Sequence, residues 1–185
     1  MRLPEGWEKT KIGAIAIKIG SGTTPKGGRE VYQKYGIPII RSQNVLWGKL
    51  DITDVAKIPL AQHKRMSNSV VLSNDILLNI TGASIGRCCV VPPETGDANV
   101  NQHVCIIRVS KKAASEYVVN YLLSHNGQRQ IELFQAGGNR QGLNFQQIGT
   151  IALNLPPLPE QKAIAGLLST WDEAIGKTER LIVAK

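Results

Sequence analysis

Aromatic residues are scarce. Phe, Trp and Tyr make up 5% of the 185 residues, which weighs against an RNA or single-strand binder built on stacking platforms. Cysteine is scarcer still: there are three, Cys88, Cys89 and Cys105. An odd count with an adjacent pair makes no disulfide framework and suggests a reducing, cytoplasmic setting. Long apolar runs are missing. The longest charge-free stretch, Gln141 to Pro159, is studded with Asn, Gln, Gly and Pro, so it is no membrane span. The opening segment carries charges from Arg2 to Lys11 around no apolar core, unlike a signal peptide. Acidic residues are outnumbered, 14 against 22 Lys and Arg, for a net charge of +8. That excess suits a polyanionic partner, although it also serves solubility.

Catalytic motifs are missing as well. Gly20-Ser21-Gly22 and the segment from Gly82 to Gly86 have neither dinucleotide-fingerprint nor P-loop spacing, and read as turns. Asn154-Leu155-Pro156-Pro157-Leu158 is a near miss to the motif by which adenine methyltransferases hold the target amine, but a Leu intrudes and no aromatic follows. The acids are scattered and not clustered as a nuclease's cation site requires. His63, His103 and His125 stand in no triad context. His103 and Cys105 alternate as strand neighbours would, without a second ligand pair. The chain reads as non-catalytic and metal-free, with no cofactor of its own.

Hydrophobic residues at 42% are enough for a globular core. Short β-branched runs cover Ile12 to Ile19, Ile37 to Arg41, Asp75 to Ile80, Arg87 to Val91, Val104 to Val109 and Ile151 to Leu155. Turn-forming clusters separate them, which predicts a twisted sheet or partly open barrel. Ser115 is placed to cap a helix through Tyr117, Val118, Tyr121 and Leu122, with Gly127 either ending it or lying within a resumed helix through Phe134. Asn144 and Gln147 fit a capping pattern for one turn from Phe145 to Ile148. The class is α/β, or α+β: a β-rich body over 1–155, then a helical tail over 156–185.

The tail has its own pattern. Pro159 and Glu160 suit a helix start. Ile164, Leu168, Trp171, Ile175, Thr178 and Ile182 then follow 4-3-4-3-4 spacing, a coiled-coil seam with Thr178 as its weak point. Leu167, Ala174 and Leu181 widen the stripe. Such a helix either projects and pairs with another or docks back on its own body; its length favours projection. Of the charged residues, four bases and four acids fall after Leu155, so the tail is neutral and the body holds the whole +8.

Asn and Gln total 22, nine of them between Asn126 and Gln147. A Gly-rich loop there presents Asn139, Arg140 and Gln141. Similar groups occur at Arg41, Gln43 and Asn44, and at Asn101 and Gln102. Arg pairs bidentately with guanine and Asn or Gln with adenine in the major groove. Thr24, Lys26 and Arg29, in another Gly/Pro-rich loop, together with Lys64, are candidates to hold phosphates. With a basic body, these loops point to double-stranded DNA.

The same residues resemble the DNA-specificity subunit of type I restriction–modification systems over nearly the whole chain. Leu3-Pro4-Glu5-Gly6-Trp7 looks like the family's entry to a target recognition domain, and Gly22-Thr23-Thr24-Pro25 its G-x-T-P turn. Ile37-Pro38-Ile39-Ile40-Arg41 resembles the following strand. Asp75-Ile76-Leu77-Leu78 with Gly82 and Ile85-Gly86, then Asn101-Gln102, resemble the next two blocks. The most specific piece runs from Leu155 through Pro156, Pro157, Glu160, Gln161 and Ile164, and looks like the start of the conserved spacer helix.

The resemblance implies a recognition domain followed by a spacer or dimerisation helix. Two such units would occupy a bipartite target with their helices antiparallel. Modification (methyltransferase) subunits would bring S-adenosylmethionine, and a restriction subunit ATP and Mg, so methylation and cleavage would reside in partners. The family usually has two recognition domains and two helices where this sequence has one of each. Either it is a half-subunit that homodimerises through Ile164, Leu168, Trp171, Ile175 and Ile182, or it is the front part of a longer chain. The competing expectation is a non-catalytic protein–protein adaptor whose basic charge is incidental. A self-contained methyltransferase is disfavoured because no cofactor loop is visible.

Overall fold

The computed structural model describes residues 3–136 and 142–183. The two ends of the body meet first: strand β1 (Glu8–Lys11) pairs antiparallel with β9 (Ala152–Leu155), Glu8 opposite Leu155. The run predicted as one strand from Ile12 is then interrupted. Ile12–Ile15 forms one helical turn, α1, before β2 (Ala16–Ser21) begins. The 3-residue spacing of Ile12 and Ile15 puts both inward on one turn, where both are buried.

A four-stranded antiparallel sheet has the order β2-β8-β5-β6, where β5 is Ile76–Asn79, β6 is Cys88–Val90 and β8 is Val104–Val109. A smaller sheet has the order β4-β3-β7, from β3 (Ile37–Ile40), β4 (Ala56–Ile58) and β7 (Asn99–Val100), with β3 and β7 parallel. Both faces of its inner strands β5 and β8 are covered, so these read largely as apolar runs without polar alternation. Ile76, Leu78, Cys88, Cys105 and Ile107 point one way, against the helices. Leu77, Cys89, Val104 and Ile106 point the other way, onto Ile40, Val45 and Val100. The architecture is thus helices, sheet and small sheet in layers, plus a terminal ribbon, and not a barrel.

The helical layer holds α3 (Ser115–Leu123), α4 (His125–Gln135) and α5 (Phe145–Thr150). A further short helix, α2 (Leu60–Arg65), lies beside the small sheet. The N-cap of α3 is Ala114; Ser115 sits one position inside and its hydroxyl donates to Asn74 O at 2.6 Å. Gly127 lies within α4, whose cap is Ser124. The reciprocal Asn144–Gln147 capping box forms as the spacing predicts. The three thiols are free and buried in this core. Burial pushes Cys89 and Cys105 up to about 12, and Cys88 up as well.

The tail is one helix, α6 (Leu158–Val183). Its root is tied down by Gln161, which is fully buried. Gln161 Oε1 accepts from Ala114 N at 2.8 Å, and Nε2 donates to Pro156 O at 2.8 Å and Lys112 O at 3.1 Å. Ile164 packs partly against the body core and Ala165 is buried. Ile164 therefore lies at the root of the helix, where the seam begins. Beyond it Leu168, Trp171, Ile175 and Ile182 are exposed, Trp171 at 63%. The helix projects over about 18 residues, roughly 27 Å. Among the described residues no helix is long and apolar enough to cross a membrane.

Candidate nucleic-acid interface

Three separated motifs meet at one edge of the sheets. Gly22 N donates to Asn101 O at 3.1 Å, and Asn101 N donates to Ile40 O at 3.0 Å. The loop after β2, the turn after β7 and the end of β3 therefore lie side by side. A Cβ on Gly22 would fall 1.7 Å from Val100 O, so only glycine permits the approach. In the loop that follows, Thr24 and Lys26 are exposed on either side of buried Pro25.

The loop after β3 is fixed from below. Asn79, fully buried at the end of β5, donates through Nδ2 to Ser42 O at 2.9 Å and Val45 O at 3.3 Å. Gln43 stands exposed on this loop and Arg41 is half-buried. Asn44 is different. It is 3% exposed; its Oδ1 accepts from Arg41 N at 3.1 Å and its Nδ2 donates to Asp51 O at 2.9 Å. These bonds shape the loop and occupy the amide that the sequence offers to a base edge. Asn101 is likewise buried at 7%, with Oδ1 accepting from His103 N at 3.0 Å. Its side chain is thus engaged in forming the turn.

Gln102 is half-buried beside His103. Its Nε2 lies 2.8 Å from His103 Nε2, and His103 Nδ1 lies 2.6 Å from Thr81 Oγ1. With the amide donating to Nε2, the ring proton sits on Nδ1 and points at Thr81. Thr81 bridges to Gly142, and Leu143 N donates to Ile80 O at 2.9 Å. The chain returning from the Gly-rich loop thus lands next to Thr81, His103 and Gln102. Asn139, Arg140, Gln141 and the side chain of Arg29 lie outside the described residues.

Lys64 is exposed on α2, a helix that no periodicity in the sequence announces. That helix is docked by its neighbour His63, whose Nδ1 lies 2.7 Å from Asn99 Oδ1 in β7. Asn99 also donates to Met66 O at 3.0 Å and Ser69 Oγ at 2.9 Å. Away from this edge, Arg108 grips buried Asp75 with two bonds of 2.7 and 2.8 Å. Partial burial, and then the Arg108 charge, lower the pKa of nearby Lys18. Among the described residues, no group of three or more His, Cys, Asp or Glu is placed to hold a metal ion. Asn79, His103, Thr81, His63 and Asn99 support the edge, and nothing in the sequence marks them as its scaffold. Their only signal was polarity next to apolar strands.

The chain and its fold have counterparts among known proteins. The family model described as the type I restriction modification DNA specificity domain matches residues 4–183. The chain belongs to that family. A protein provisionally named the type I restriction enzyme MjaX specificity subunit, from Methanocaldococcus jannaschii, is 28% identical over 184 residues, covering 97% of this chain and 43% of its own length. The EcoKI specificity subunit of Escherichia coli is 26% identical, covering 96% of this chain and 39% of its own. The crystal structure of the HsdS subunit from Thermoanaerobacter tengcongensis shares the fold, with a TM-score of 0.69 at 18% identity over 98% of this chain and 41% of that one. This specificity-domain chain therefore spans less than half the length of the relatives it matches. In it the G-x-T-P glycine, the Asn-Gln pair and the β3 strand prove to be neighbours in space, which the motifs' separation along the chain hides.

Proposed function

We propose that the chain recognises specific sequences in double-stranded DNA for a type I restriction–modification complex. The observation that carries this is the convergence of Gly22–Lys26, Arg41–Gln43, Gln102 and the anchor of the Gly-rich loop at one edge of a basic body. In this reading Gln43, Gln102, Asn139, Arg140 and Gln141 reach base edges, while Thr24, Lys26, Arg29 and Lys64 hold phosphates. Arg41 faces DNA with them. Asn44 and Asn101 shape the loops behind.

The chain itself performs no bond chemistry. Methylation with S-adenosylmethionine belongs to modification subunits, and ATP-driven cleavage to a restriction subunit. The exposed seam of Leu168, Trp171, Ile175 and Ile182 meets a second helix, from another copy or from a second unit. Length supports the second unit: relatives more than twice as long leave room for another recognition domain and helix.

Filter binding to random duplex at two salt concentrations separates this from an adaptor with incidental charge. A DNA-binding body loses affinity steeply between them, because contacts to phosphates release counterions. Equal retention at both concentrations contradicts the proposal.

A further inference from the structure

Arg41 borders a second feature that the interface does not absorb. On the β4 side of β3, a cavity of about 420 Å³ is lined by Tyr32, Gln33, Lys34, Arg41 and Lys57, with residues 52–56 closing it. We propose that this cavity is a backbone-phosphate subsite for duplex DNA, an inference that rests on the reading of the interface above.

The charges are arranged for an anion. Lys34, Arg41 and Lys57 line the cavity against one carboxylate, Asp54. Neighbouring Asp51 is turned to Thr53, whose N and Oγ1 donate to its Oδ1 at 3.0 and 2.7 Å. The only ion pair among the described residues is Arg108 with Asp75, so none of the three cations has a counter-ion there. Arg41 Nε is buried without a hydrogen-bond partner. An orphaned guanidinium N–H is costly to bury, and an incoming acceptor relieves that cost.

The chemistry favours phosphate over a base. Ammonium and guanidinium groups only donate, and a phosphodiester only accepts. The Tyr32 ring offers no platform, since the Arg41 guanidinium already lies over it at 5.5 Å from the centroid. Lys34 is similarly placed over Tyr35, at 5.5 Å. Two residues on, exposed Gln43 stands at the recognition edge. Arg41 would thus fix the register of that loop on the duplex by holding the backbone, while Gln43 meets the groove. This assigns Arg41 to positioning, in place of the base reading its residue type first suggests.

The test is a salt titration of the full chain on random duplex, comparing the unsubstituted protein with Arg41→Gln, the pair Lys34→Gln and Lys57→Gln, and, as control, Lys111→Gln in the exposed turn after β8, outside the cavity lining. Thermal melts check that each variant is folded. Each lost phosphate contact reduces the slope of log K against log salt by about 0.9. The expected result is a slope shallower by about one for Arg41→Gln and by up to about two for the lysine pair, on any sequence. Lys111→Gln leaves the slope unchanged. Folded variants that keep the full slope overturn the subsite. If the unsubstituted chain shows no salt-dependent binding, the DNA reading itself fails, a distinct outcome.

Discussion

The indole Nε1 of Trp7 lies 3.1 Å from Glu160 Oε2, joining residues 153 positions apart. Trp7 ends the Leu-Pro-Glu-Gly-Trp opening and Glu160 lies in the first turn of the tail helix. Gly6 packs against Pro157 in the same place, and β1 pairs with β9 just beside it. The first and last segments of the body therefore close on each other at the root of α6. That closure sets the direction in which the helix leaves.

Within that root, Gln161 matters more than Glu160. Gln161→Ala leaves Ala114 N, Pro156 O and Lys112 O without their partner in a buried site. An unmet buried group costs about 1–3 kcal/mol, so urea unfolding should show a loss of about 2–3 kcal/mol. Glu160→Gln removes only an exposed acceptor charge, and should shift the midpoint little. Equal effects of the two substitutions contradict this ranking.

Gly22→Ala should disrupt the junction of three motifs, because the new methyl would meet the Val100 carbonyl. Overpacking of this kind typically costs about 1–3 kcal/mol and occasionally more. Gly20→Ala, two residues back in strand β2, has nothing within 4 Å of its Cβ and should be neutral or slightly stabilising. Thermal melts of the two variants compare them directly. A tolerated Gly22→Ala would show that the approach to Val100 is not required.

Much of this fold is legible locally and part is not. The runs through Ile76–Asn79 and Val104–Val109 announce strands because both sheet faces bury them. The tail's spacing announces a projecting helix, and α6 does project. Ile12–Ile15 misleads, since one buried helical turn and a strand both accept β-branched residues. The parallel pairing of Ile39 with Asn99 leaves no local trace, so the meeting of β3 with the Asn-Gln turn is invisible from spacing. Asn44 and Asn101 show the limit for sites. A loop amide reads the same whether it points to a base or back to its own backbone, and these two point back. Lys34 and Lys57 come from different segments, and only the fold puts them around one cavity.

The thiols give a pH-dependent prediction. Burial raises Cys89 and Cys105 from 9.0 to about 12. A group raised on folding stabilises the native state below its unfolded value and loses that contribution as pH climbs to the folded value. Stability should therefore fall between about pH 9 and 12, less so after Cys89→Ala and Cys105→Ala, measured relative to each variant's own value at pH 7. At pH 8 a thiol reagent should label none of the three in the native protein and all three in denaturant. Rapid native labelling would contradict their burial.

The seam of α6 should serve association and not monomer stability. Trp171→Glu with Ile175→Glu changes two exposed side chains, so the melting temperature of the isolated chain at low concentration should stay put. If the helix pairs with a second copy, light scattering at micromolar concentration should give twice the chain mass for the unsubstituted protein and one chain mass for the variant. A monomer in both cases contradicts self-pairing and leaves a second unit as the helix's partner.

Sequence recognition itself is tested most directly by methylome sequencing of the host with and without this gene. The predicted result is an interrupted, bipartite adenine-methylation site present only when the gene is intact, symmetric if two copies pair. An unchanged methylome, in a host whose modification subunit is expressed, would contradict the assignment of this chain as the component that chooses the site.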